Sequence, residues 1–223
     1  PAGRVVAVTF EPLPVAVLRP DAAPARLTSA GRRHALLRDA GCDEVLEIDP
    51  RTGVLNESPE GFVSQLRARL PFDVVAEGGD FRFGRGRTGG IDALREIGAR
   101  CGFRAIEVPE VFAALADGTE VAARSTAVRW LLGVGRVADA ARLLGRPFGI
   151  EGTVERGDQR GRTLGFPTAN VHAPGIALPA DGVYAGTART AQGEWPAAIS
   201  VGTKPTFGTS ARTCEAHLLG FQI

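Results

Sequence analysis

The hydrophobic pattern changes period at Gly145-Arg146-Pro147, and few architectures satisfy both sides of that change. Ahead of it, short apolar runs alternate with helical patterns. Runs 5–10, 44–48, 73–77 and 103–108 are strand-like, while 33–40, 62–70, 91–100, 125–132 and 137–144 have helical spacing. Ser58-Pro59 supplies an N-cap followed by proline at the first helical position, and Gly41 suits a C-cap. Strands separated by helices in this way favour parallel pairing with crossover connections, an α/β domain of doubly wound type. Ligands of such sheets sit beyond the carboxyl ends of the strands. Gly145 caps the last helix, and Pro147 cannot continue it. Beyond it, 149–155, 182–189, 197–202 and 213–219 are strand-like, with Gly- and Pro-rich turns and no helical period. That is the pattern of a small antiparallel β-barrel. The expected domains are 1–145 and 146–223.

Composition narrows the function classes. With 44% hydrophobic and 23% charged residues and a net charge of +1, nothing marks a nucleic-acid binder or a membrane-surface protein. No apolar run approaches a membrane span, and the N-terminus lacks a signal-peptide pattern. Cys42, Cys101 and Cys214 are odd in number and lack zinc-ligand spacing, as expected of reduced thiols in a cytoplasmic protein. The sequence leaves a homo-oligomer open. There is no methionine, and both ends fall beside strand-like runs. We therefore expect the ends to cut through folded domains.

The densest chemistry is RGDQRGRTLGFPTAN (156–170). Gly157, Gly161 and Gly165 let backbone N–H groups approach an anion, and Arg160 and Arg162 add positive charge. Thr168 and Asn170 offer neutral oxygens of the kind that hold Mg²⁺ beside nucleotide phosphates. The same residue types also make ordinary hairpin loops, so the residues alone reach no further than phosphate handling.

LGFPTAN (164–170), LPADGVYAG (178–186), VGTKPTFG (201–208) and TCEAHLL (213–219) together resemble, in order, the motifs of riboflavin kinases. The resemblance implies that Thr168 and Asn170 contact ATP phosphates and Mg²⁺, and that Glu215 is the catalytic base. Residue chemistry agrees, since phosphoryl transfer to an alcohol needs a carboxylate near the attacking hydroxyl and a metal at the γ-phosphate. Without the motif, Glu215 would read as a solvent-facing strand residue between inward Cys214 and Ala216. His217 shares its outward phase and reads as a rim residue, and His172 as a loop histidine.

GGDFRFGRGR (78–87) follows a strand-like run and is by itself a weak phosphate-loop signal, neither GxGxxG nor Walker A. It resembles the GxDFxFG loop of bacterial FAD synthetases, which implies an adenylyl or flavin site at Asp80, Phe81 and Phe83. STAVR (125–129) resembles that family's ISSTxxR motif, with Ala123-Arg124 in place of Ile-Ser. Ser125 and Thr126 at a helix start with Arg129 one turn on make a sound anion site, although plain N-capping needs the same residues. TFEPLP (9–14) resembles TFEPHP, with Leu13 where histidine is usual.

The resemblance as a whole is to prokaryotic bifunctional riboflavin kinase/FMN adenylyltransferases (FAD synthetases). It implies a nucleotidyltransferase domain followed by a kinase barrel, with ATP, riboflavin, FMN and FAD as substrates and products, and Mg²⁺. The family's GxFDGxHxGH motif is missing from this sequence, as are the last barrel strand and the C-terminal helix. On that pattern the first half is expected to transfer AMP poorly or not at all. Two alternatives stand beside this reading. One is a monofunctional riboflavin kinase with a degenerate first domain; the other is a non-catalytic flavin- or nucleotide-sensing module, against which Thr168, Asn170 and Glu215 together argue.

Overall fold

A computed structural model describes residues 3–155, 166–203 and 212–221. The chain divides into two compact units, Pro1–Pro24 with Ala30–Val111, and Ala25–Ser29 with Phe112–Ile223.

The first unit is α/β. Strand β1 (Val6–Phe10) leads through α1 (Pro14–Leu18) and α2 (Ala30–Asp39) to β2 (Glu44–Ile48), and α3 (Pro59–Arg69) leads to β3 (Val74–Gly78). Helix α4 (Ile91–Cys101) then returns the chain to β4 (Arg104–Val108). β1 pairs with β2 and β3 with β4, both parallel, so the expected crossover connections are present. They form two separate two-stranded sheets rather than one continuous doubly wound sheet among the described residues. Ser58 caps α3 by accepting from the Gly61 N–H at 3.1 Å, with Pro59 at the first position. Gly41 takes φ 97°, the left-handed conformation that a C-cap glycine tolerates without Cβ strain. The core joins Ile48, Phe62, Val63, Phe83, Leu94, Ile97 and Phe103.

The second unit holds a short hairpin, β5 (Phe112–Ala114) with β6 (Glu120–Ala122), then α5 (Ser125–Gly133) and α6 (Val137–Leu144). After them come β7 (Thr153–Glu155), β8 (Ala169–His172), β9 (Gly182–Thr190), β10 (Gly193–Thr203) and β11 (Arg212–Leu218). These five form one antiparallel sheet in the order β7-β8-β11-β10-β9. β11 is therefore central although it comes last in sequence. The expected antiparallel sheet is present, and β7 and β9 are its edges among the described residues.

The compact units divide at 111/112, ahead of the expected 145/146 limit, because α5 and α6 pack with the C-terminal part of the chain. Leu131, Leu132 and Ala140 share a core with Leu115 and Ala177, with Leu27 against it. The Ala180 N–H donates to the Leu132 carbonyl at 2.8 Å. Arg26 and Ala177 are joined by a backbone hydrogen bond that ties 25–29 to the same unit. Asp139, buried on α6, accepts from the Ala116 N–H at 2.7 Å and from Arg136 Nε at 2.7 Å, which pins the hairpin turn.

Candidate functional site

The sheet register brings the kinase motif together. Asn170 on β8 lies directly opposite Glu215 on β11, and Ser200 on β10 flanks Glu215 from the other side. Period-2 alternation buries Cys214 and Ala216 and turns Glu215 to the other face, where it is half-buried. Just before β8, the Thr168 hydroxyl donates to Glu215 Oε2 at 3.2 Å. That bond commits the hydroxyl hydrogen to the carboxylate, so the oxygen's lone pairs are directed elsewhere. On the buried face, burial first and the Glu215 charge second push the Cys214 thiol up.

Gly157, Arg160, Gly161, Arg162 and Gly165 lie outside the described residues, as does the part of VGTKPTFG beyond residue 203. His172 is not in a loop as expected. It ends β8, where its pairing with Thr153 on β7 extends the sheet; a four-residue strand after a Gly- and Pro-rich run is too short to show alternation. His217, expected on the rim, is half-buried. Its Nδ1 lies 2.7 Å from the Pro167 carbonyl oxygen, and its ring meets Phe166 edge-on at 5.6 Å.

In the first unit, the 78–87 loop leaves the carboxyl end of β3, where ligands of parallel sheets bind. Asp80 is exposed and Phe81 half-buried, while Phe83 is a core residue at 6% exposure. The Phe83 ring stacks on Phe81 at 5.3 Å and lies against Phe62 at 5.7 Å. Backbone bonds between Phe83 and Gly89 close the loop, and a Cβ at Gly89 would come within 2.8 Å of the Phe83 ring. A Cβ at Gly79 would meet the Glu107 carboxylate at 2.6 Å, a contact that the exposed, flexible Glu107 side chain can relieve by shifting. Burial chiefly, against a Gly78 N–H and with some help from Asp80, raises the Glu77 carboxyl above its ordinary value. His34 sits on α2 with Nε2 2.8 Å from Glu47 Oε1, beside an Arg33–Glu11 ion pair at 2.8 Å.

In the second unit, Ser125 and Thr126 open α5 and are exposed. The N-cap is Arg124, without a side-chain cap bond, so neither hydroxyl does the plain capping that the sequence allowed. Arg129 donates through Nε to the Ala25 carbonyl at 2.6 Å, and burial lowers its guanidinium from its ordinary value.

No group of three or more His, Cys, Asp or Glu among the described residues could hold a metal. No helix among them is long and apolar enough to cross a membrane. The three cysteines are free.

Comparison with known proteins matches each half to a family. The FAD synthetase profile matches residues 2–122 and the riboflavin kinase profile residues 144–223. The bifunctional riboflavin kinase/FMN adenylyltransferase of Escherichia coli (strain K12) is 37% identical over 219 residues, covering 96% of this chain and 68% of that protein. The Pseudomonas fluorescens protein of the same name is 36% identical over 218 residues, with 96% and 68% covered. A crystal structure described as a macrolide-efflux protein from Streptococcus pneumoniae superposes with a TM-score of 0.81 at 25% identity, covering 99% of this chain and 70% of that one. With both families represented in one chain and in the order of these relatives, the chain belongs to the bifunctional riboflavin kinase/FMN adenylyltransferase family, enzymes of flavin cofactor biosynthesis.

Proposed function

We propose that phosphoryl transfer to riboflavin is carried by Thr168, Asn170 and Glu215, and that adenylylation of FMN draws on the 78–87 loop and the start of α5. The observation that carries the kinase reading is the Thr168–Glu215 hydrogen bond with Asn170 in register beside it. Glu215 takes the proton of the ribityl 5′-hydroxyl as its oxygen attacks the γ-phosphorus, and ADP leaves with the electron pair of the broken P–O bond. Mg²⁺ fits the donor set: the Thr168 hydroxyl oxygen and the Asn170 side-chain oxygen would hold it as neutral ligands, and the nucleotide phosphates would bring the charge. When bound, the ion neutralises charge on the transferring phosphoryl group. The glycines and arginines at 157, 160, 161, 162 and 165 complete this reading as phosphate contacts.

For the second reaction, Asp80 and Phe81 face the ligand from the loop while buried Phe83 anchors it. Ser125 and Thr126 receive phosphate at the α5 N-terminus, where the backbone N–H groups and helix dipole favour an anion. Arg129 adds charge from the next turn. The catalytic halves are read as 1–145, a nucleotidyltransferase-like doubly wound domain, and 146–223, a kinase barrel. The family matches, which end at 122 and resume at 144, support that division. Three free cysteines support a cytoplasmic setting.

The test is incubation of the purified chain with riboflavin, ATP and Mg²⁺, followed by chromatographic separation of the flavins. FMN is the expected product. FAD beside it requires the first half to act without a GxFDGxHxGH motif, and FMN alone confines the chemistry to the kinase step. Absence of FMN would contradict the kinase assignment.

A further inference from the structure

The β8–β11 backbone ladder stops at Ala216↔Ala169. One step further out, His217 takes over the connection with its side chain, Nδ1 to the Pro167 carbonyl oxygen at 2.7 Å. A carbonyl oxygen only accepts, so Nδ1 carries the hydrogen and donates it. The ring is also held edge-on against Phe166 at 5.6 Å, so both residues ahead of Thr168 are fixed to β11. Glu215 and His217 are two residues apart on one strand and share a face. The same strand therefore presents the carboxylate that accepts from Thr168 and the imidazole that holds the peptide carrying Thr168.

We propose that His217 is a positioning residue of the kinase site, which sets the Thr168 hydroxyl for Mg·ATP by clamping the Pro167 carbonyl; this rests on the kinase reading above. It touches neither substrate nor reacting atoms. Its contribution is to hold the Phe166-Pro167-Thr168 segment, since misplacing a ligand-binding group by about 1 Å can cost on the order of 10²-fold in rate.

Stereochemistry supplies a discriminating pair of variants. The amide nitrogen of asparagine reaches the position of Nδ1, whereas that of glutamine reaches the position of Nε2. Steady-state kinase kinetics of the whole chain should therefore separate them. His217→Gln is expected to raise KM for Mg·ATP about tenfold, as the clamp is lost, with KM for riboflavin and the thermal midpoint close to wild type. His217→Asn is expected to bring KM for Mg·ATP back towards the wild-type value. Equal KM for Mg·ATP in both variants and wild type would overturn the positioning role. So would equal damage in both variants, or parallel loss of riboflavin KM and thermal stability, which mark a general structural role. A wild-type chain without kinase turnover would overturn the kinase reading and this inference together.

Discussion

Residue by residue, hydrogen bonds to carboxylates do two different jobs in this chain. At Glu215 the bond from Thr168 orients the carboxylate proposed to take the proton of the attacking hydroxyl. Replacing Thr168 by valine keeps the shape and removes the hydroxyl, so KM for Mg·ATP is expected to rise while riboflavin binding, read by flavin fluorescence, stays near wild type. At Asp139 and Asp117 the bonds are structural. The Ala116 N–H, then Arg136, hold the Asp139 carboxyl below its ordinary value. The Thr119 backbone and hydroxyl, then Arg136, hold Asp117 down at about 2, from an ordinary 3.8. Carboxyl values depressed in the fold stabilise it fully above the ordinary value, and that stability is lost as pH falls through the folded value. The hairpin should therefore weaken between about 3.8 and about 2. Asp117→Asn should flatten the stability-versus-pH curve across that window, as followed by circular dichroism; an unchanged slope would mean that Asp117 does not stabilise the hairpin. Phe83 belongs to packing more than to ligand contact. Phe83→Ala should cost about 3–5 kcal/mol in denaturant unfolding of its unit, the usual range for emptying an aromatic core position.

Elements place these residues where chemistry can use them. β11 is the last strand in sequence and the middle one in the sheet, so its outward residues are flanked on both sides, Glu215 by Asn170 and Ser200. Much of this was legible from pattern. Strand 44–48 and helix 137–144 coincide with β2 and α6, and the alternation around Glu215 predicted buried Cys214 and Ala216 correctly. What escaped was short or non-local. The hairpin of β5 and β6 has three-residue strands, too brief for a period to register. β8 follows a turn-rich run and exists because β7 and β11 flank it. The Pro167–His217 bond joins positions 50 residues apart, which no local pattern encodes. At α5, Ser125 is exposed in the first turn, and its proposed partner is a phosphate. Ser125→Ala should thus slow FMN-to-FAD conversion and leave FMN formation unchanged; loss of the kinase step instead would sink the two-site assignment.

At the scale of the molecule, packing and catalysis follow different boundaries. The compact units divide near residue 111 because α5, α6 and the 25–29 segment bury their apolar faces with the sheet-bearing half. The family matches divide between 122 and 144, because chemistry is assigned by motifs rather than by core contacts. Glu215 is the proposed base of the kinase half. Its most direct test is single-turnover FMN formation by wild type and Glu215→Gln at saturating Mg·ATP, with nucleotide binding measured on the same samples. A positioned general base contributes about 10²–10⁴-fold, so the variant should lose at least that lower factor while binding ATP as wild type does. Glu215→Gln turning over at the wild-type rate would contradict the account.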